Sequence, residues 1–315
     1  MRHFLANNPA TRKRTAVLVT LLLSAALTLW GIYGIGSYGI ALFILTPLLL
    51  GFLPAVLYGY GWRISRRESV VLGFTTLGWF TGGLILFALE GLICIAMAAP
   101  FGVLFTWIGA LLAHLVVRRG PNGTLLSAGL LLLAIPLLST AESDAPPVPY
   151  SVETVVDIAA PPERVWETVV AFPRLPAPED WLFRIGIAYP VGATIDGAGV
   201  GAVRHCTFNT GSFVEPITQW EPPYVLAFDV AEQPVPLREI SFWDVDAPHL
   251  HDYFVSRRGQ FELTRLPDGG TRLRGTTWYT LALRPAWYWR WWSDVIIHRI
   301  HGRVLAHVGA VAEAS

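Results

Sequence analysis

Between residues 15 and 140 the chain carries charge only at Arg63, Arg66, Arg67, Glu68, Glu90, Arg118 and Arg119. What remains are apolar runs at 15–36, 38–60, 69–89 and 91–117, with a shorter one at 124–140. A helix needs about 20 residues to cross the hydrocarbon core of a bilayer. Inside that core every backbone N–H and C=O must be bonded within the protein. Runs of this length and spacing predict an α-helical membrane bundle of about five spans over residues 1–140. A cleaved leader would account for the first run alone, but four more follow and no small-residue cleavage motif stands behind it.

Lys and Arg placement gives the expected orientation. Arg2, Arg12, Lys13 and Arg14, then Arg63, Arg66 and Arg67, then Arg118 and Arg119 fall on one side if there are five spans. The opposite loops near Gly36 and Glu90 hold no basic residue, and the exit after the fifth run is acidic, with Glu142 and Asp144. The expectation is a multi-pass cell-membrane protein with a cytoplasmic amino terminus and an extracytoplasmic carboxyl half. A dip at 90–101 that turned back without crossing would give four spans and reverse the second assignment. Glu90 is read as a marker of the turn between runs three and four; the alternative is a functional acid at mid-bilayer. No series of intramembrane acids, histidines or arginines suggests an ion pathway.

Residues 141–150, acidic and proline-rich, read as a short semi-rigid linker. From 151 to 315 the pattern changes. Residues 151–159 alternate apolar and polar as a half-buried strand does. Pro161 and Pro162 then open a helix with acids in its first turns. Strands are expected at 200–208, 212–220, 224–232, 253–266 and 271–283, divided by turn-forming residues at 209–211, 221–223 and 268–270. Residues 233–252 read as an excursion from the sheet. Residues 285–314 are expected to form one long amphipathic helix with Ile296, Ile297, Ile300, Val304, Val308 and Val311 on one face. A sheet that curls around such a helix makes an α+β domain with room for an apolar ligand between the two.

The order of these elements, with PPERVWETV after the first strand, resembles the START/SRPBCC superfamily, whose members include the polyketide cyclase/dehydrase-like proteins. The stretch GVGAVRHCTFNTGSFVEPITQWEPPYVLAFDV and the ending IIHRIHGRVLAHV are similar to a bacterial subgroup of it. The resemblance covers about 151–313. It implies a helix-grip fold, a curved antiparallel sheet around the terminal helix over a hydrophobic cavity. It does not fix a chemistry.

The expected cavity residues are Cys206, Phe208, Phe213, Glu215, Trp278, Ile297, His301, Val304 and Val308. Glu215 shares a strand face with Phe213 and Ile217, which is costly for an acid unless it is paired. It either meets His301 or an arginine such as Arg204, or is turned outward beside Pro216. His205 and Cys206 adjoin and must face opposite ways. Asp294, His298 and His301, at i, i+4 and i+7, offer a metal-binding or acid–base stripe. The competing reading pairs Asp294 with His298 at the surface and leaves His301 at the core edge. His249, His251 and Asp252 are either a lid or a solvated loop. In the aromatic run, Trp287, Tyr288 and Trp291 are candidates for contact with bilayer headgroups, or else covers for the excursion.

Zero net charge and the lack of a basic run after the apolar half give no case for nucleic acid. The run 197–201 lacks the strand–helix setting of a dinucleotide site, and no nucleophile elbow or HExxH motif is present, so no cofactor and no resident metal are expected. Two cysteines, Cys94 and Cys206, make no disulfide framework. The expected function is the holding of a hydrophobic small molecule or lipid by a membrane-anchored domain. The alternatives are a cyclase- or dehydratase-type enzyme using Glu215, His251 or His301, and an interaction module without a ligand.

Overall fold

The computed structural model describes residues 8–118 and 121–314, so Arg2 and Arg119 lie outside the described residues. The chain divides into two compact units. One comprises the residues up to Pro146 together with Glu239–Pro248, and the other comprises Pro147–Arg238 and the residues from His249 on.

The first unit is helical: α1 (Pro9–Leu29, continued by a wider π turn to Gly34), α2 (Thr46–Gly59, preceded by a π turn from Ala41), α3 (Arg66–Leu86), α4 (Leu92–Val117) and α5 (Pro121–Ser143). Among the described residues it contains five segments long and apolar enough to cross a membrane: Pro9–Gly34, Ala41–Gly59, Arg66–Leu86, Leu92–Val117 and Gly123–Ser143. Asn8 caps α1, and Ser65 with Glu68 forms a reciprocal capping box on α3. Glycine lets α2 and α4 approach backbone to backbone. A Cβ on Gly51 would lie 2.0 Å from the Thr106 carbonyl oxygen, and one on Gly109 would lie 2.1 Å from that of Leu48. Small residues at such crossings suit helices that gain nothing from excluding water.

The two ends of this unit differ in charge. At one end the Arg12 guanidinium donates to the Tyr60 carbonyl, and Lys13 lies 3.9 Å from Glu68. At the other, the Ile40 N–H donates to Glu142 Oε1 at 2.8 Å and Tyr38 Oη to Glu90 Oε1 at 3.5 Å. Glu90 sits in the turn between α3 and α4, where burial and then the Glu239 carboxylate raise its carboxyl to about 8. α4 is one continuous helix from Leu92, with no return at 101.

The second unit is a seven-stranded antiparallel sheet gripping a long helix. The strands are β1 (Val148–Ile158), β2 (Pro190–Asp196), β3 (Val203–Phe208), β4 (Gly211–Glu221), β5 (Val225–Asp229), β6 (Phe254–Arg265) and β7 (Thr271–Leu281), in the order β1-β7-β6-β5-β4-β3-β2. Helices α6 (Pro162–Val170) and α7 (Trp181–Arg184) come between β1 and β2, and α8 (Ala286–Ala314) closes the chain. Residues 141–143 continue α5 and 148–150 belong to β1, so the expected linker shrinks to 144–147. β2 is not among the strands the sequence predicts, because Pro190 and Gly192 interrupt its alternation.

One side of α8 packs on the sheet and on α6 through Val304, Leu305, Val308 and Ala312, all buried with Val165, Val169 and Leu273. Its outer edge is pinned by Arg299 to Asp180 Oδ2 at 2.8 Å and by Arg303 to the Pro190 carbonyl at 3.2 Å. The sheet, one helix and the cavity between them make the helix-grip arrangement.

Candidate functional site

The cavity between the sheet and the middle of α8 has a volume of about 150 Å³. Its walls are mostly rings and aliphatic groups, among them Phe172, Phe208, Phe213, Phe228, Phe261 and Ile297. Gly259 makes room for one of them. It pairs with Phe228 across β5 and β6, and a Cβ there would sit 2.4 Å from the Phe228 ring. The segment 233–236 closes one side, held by Gln233: its amide donates to the Phe254 carbonyl at 2.7 Å, and its Oε1 accepts from the Ser256 N–H at 2.8 Å.

At one pole lies a buried ion pair. The turn between β3 and β4 joins Phe208 to Gly211, and this register sets Arg204 opposite Glu215 and Cys206 opposite Phe213. Alternation along each strand then sends Arg204, Cys206 and Phe208 inward, along with Phe213, Glu215 and Ile217. Arg204 donates to Glu215 Oε2, and the side chains are 2% and 7% exposed. Arg204 Nε also donates to the Val170 carbonyl at 3.2 Å. The guanidinium lies 5.4–5.8 Å from the ring centres of Phe172, Phe228 and Phe261, within cation–π range. Burial opposes its charge, but Glu215 and then Cys206 together more than offset this, and Arg204 is held above its ordinary value. Burial and the neighbouring Glu215 push the Cys206 thiol up to about 12, so it is not a reactive thiolate.

At the other pole His301 is clasped between two threonines. Its Nε2 lies 2.8 Å from Thr277 Oγ1 and its Nδ1 lies 3.1 Å from Thr154 Oγ1. Burial, and then His298, depress its value from 6.5 to about 4, so the imidazole is neutral.

Seven of the expected cavity residues line it: Cys206, Phe208, Phe213, Glu215, Ile297, His301 and Val304. Two do not. Trp278 stacks under the Arg258 guanidinium at 5.2 Å, and Val308 is fully buried in the solid part of the core. Glu215 faces inward, and its partner is Arg204. His251 is exposed in the bend before β6, away from the cavity lining. The expected Asp294–His298 pairing is replaced by partners from other elements. Asp294 accepts from Tyr279 Oη at 2.6 Å and from Arg290 Nε at 3.1 Å, while His298 Nδ1 bonds with Thr154 Oγ1 at 2.9 Å. With each group so engaged, Asp294, His298 and His301 do not converge as a metal-ligand set. Sequence reasoning missed Phe172, the 233–236 wall and the ring cage. The alternating Phe208, Phe228 and Phe261 carried a signal for the cage, but the sheet order needed to read it was not known.

Residues 149–287 match the family described as "Polyketide cyclase / dehydrase and lipid transport". The C-terminal half, of helix-grip architecture, is thus similar to the polyketide cyclase/dehydrase domains over these residues; the match covers less than half of the whole chain. Among solved structures, a protein from Nitrosospira multiformis is similar at 20% identity over 51% of this chain and 94% of its own, with a TM-score of 0.32. The Zhui aromatase/cyclase from Streptomyces sp. R1128 is similar at 16% identity over 53% and 93%, with a TM-score of 0.32. Norcoclaurine synthase from Thalictrum flavum, a point mutant in complex with a transition-state analogue, is similar at 10% identity over 54% and 97%, with a TM-score of 0.34. No curated protein matches the chain by sequence.

Proposed function

We propose that this is a multi-pass membrane protein whose C-terminal domain binds a hydrophobic small molecule or lipid in the cavity beside α8. The observation that carries this reading is a largely apolar cavity whose two polar poles are already satisfied from within. Glu215 is committed to Arg204, and both His301 nitrogens are committed to threonine hydroxyls. A general base works best with a value near the working pH; an imidazole held at about 4 lies well below that. Carriage is therefore favoured over acid–base turnover.

The volume bounds the ligand. Pockets for drug-sized ligands run to about 300–1,000 Å³, whereas an apolar cavity of about 150 Å³ holds benzene. As it stands the cavity encloses room for a ring-sized group. The domain boundaries supported here are a helical membrane region up to about residue 146 and a ligand-binding domain after it. The basic end formed by Arg12, Lys13 and Arg66, opposite the Glu90 turn, supports a cytoplasmic amino terminus and an extracytoplasmic binding domain.

Native mass spectrometry of the detergent-purified protein, with organic extraction, tests this reading. A hydrophobic compound at near-stoichiometric level is expected in the wild type and is absent from Val304→Phe, which fills the cavity. An empty wild type that also takes up no added aromatic or fatty-acyl probe would rule out carriage.

Trp287 and Trp291 are 69% and 56% exposed on one edge of α8, with Tyr288 half-buried between them. These three are proposed to touch the bilayer. In vesicles of brominated phosphatidylcholine the lipid-quenched part of the tryptophan emission is expected to fall in Trp287→Ala/Trp291→Ala. An unchanged quenched fraction would remove this contact.

A further inference from the structure

The excursion between β5 and β6 carries a feature that the ligand cavity does not use. Its residues 239–248 belong to the helical unit, and Glu239 is the tie. Its carboxylate accepts from the N–H of Ile93 at 2.9 Å and of Cys94 at 3.0 Å, the open donors at the start of α4, where the helix dipole favours a negative group. The Leu92 N–H adds a bond to the Ile240 carbonyl at 3.3 Å. Gly91 allows the approach, since a Cβ there would lie 2.2 Å from the Glu239 carboxylate. Directly beyond this tie the chain puts its apolar side chains into the open: Ile240 is 47% exposed, Phe242 94% and Trp243 53%. A loop tip of this composition in water is unfavourable.

The level of the tie says what covers it. α4 has 26 residues, about 39 Å at 1.5 Å per residue, against a hydrocarbon core of about 30 Å and about 40–45 Å with headgroups. If α4 spans, its first residue stands in the headgroup zone, and Ile240 is one hydrogen bond away. That is the depth at which aromatic side chains accumulate. Phe87, Leu86 and Leu92 beside the same turn are exposed as well, so the apolar surface is continuous with that of the spans. Asp244 and Asp246, both exposed, follow the tip and bound how deep it goes.

We propose that residues 240–243 form an interfacial anchor. Phe242 and Trp243 insert among lipid headgroups beside the start of α4. The anchor rests on the reading that the five helices span a bilayer. Apolar insertion drives it, and the two following acids oppose attraction to anionic lipid, so neutral phosphatidylcholine suffices.

The test uses the full chain in phosphatidylcholine nanodiscs, with an environment-sensitive fluorophore on Phe242→Cys. This side chain makes little contact with the fold, and the parent protein labelled in parallel corrects for Cys94 and Cys206. Nitroxide lipids labelled near the headgroup are expected to quench the fluorophore, and aqueous iodide to leave most of its emission. A second label at Leu130→Cys, 61% exposed on α5, reports the span itself. If Leu130 is lipid-quenched while residue 242 is open to iodide, the anchor is refuted and the spans stand. If residue 242 is shielded from iodide without lipid quenching, protein covers it and the anchor is refuted too. If neither position meets lipid, the membrane reading falls with it.

Discussion

Glu215→Ala is expected to destabilise the C-terminal domain by about 3–5 kcal/mol, the usual cost of stranding one member of a buried ion pair. The reason is that Arg204 has no way to relax. A guanidinium stays protonated across the working range, and at 2% exposure the side chain has almost no contact with water. Its bond to the Val170 carbonyl, its contact with the Cys206 sulfur and the faces of Phe172, Phe228 and Phe261 recover only part of its lost hydration. The paired replacement Arg204→Met/Glu215→Leu removes both charges and is expected to restore most of the loss, because well-packed apolar substitutes for a buried pair are often neutral or better. Thermal unfolding of the full chain in detergent, followed by the reactivity of the Cys206 thiol, measures both. If Glu215→Ala unfolds within about 1 kcal/mol of wild type, water reaches Arg204 and the guanidinium does not depend on Glu215 for its burial.

The same pair shows how much of the site is legible in the chain. Alternation in 212–220 places Glu215 with Phe213 and Ile217, and alternation in 200–208 places Arg204 with Cys206. Neither pattern alone distinguishes a paired inward acid from one rotated out. The length of the 209–210 turn decides it, because turn length fixes register. α8 and the long apolar runs are readable because their periodicity and length act within one segment. Asp294 and His298 misled for the complementary reason. Spacing of i, i+4 shows that two groups are neighbours on a helix, but Tyr279 and Thr154 arrive from β7 and β1 and outcompete that pairing. β2 escaped notice because a seven-residue strand with Pro190 and Gly192 has little pattern of its own and is held by pairing with β3. The excursion was visible as a break in the sheet, but its tie to α4 joins residues 145 apart in the chain.

Between about pH 6.5 and 4 His301 is expected to withdraw about 3 kcal/mol of stability, against an opposing contribution from Glu90, whose raised carboxyl takes up its proton in the fold first. In the unfolded chain the imidazole takes up a proton near 6.5; in the fold, burial and His298 hold it down to about 4. Between those values the unfolded state binds more protons, so the stability fully present above 6.5 is lost progressively on the way down. His249, likewise held down to about 4 by burial and then by His251, adds to the loss in the same direction. His301→Gln separates the two. Glutamine keeps a hydrogen-bonding group between Thr154 and Thr277 but does not titrate, so the variant is expected to have a shallower acid limb while losing less at pH 7. Denaturant unfolding at a series of pH values gives the slopes directly. Equal slopes for wild type and variant would mean that the folded imidazole takes up its proton freely. In that case the Thr154–His301–Thr277 clasp opens to water, and the cavity pole it forms is available to bind a polar group of the ligand.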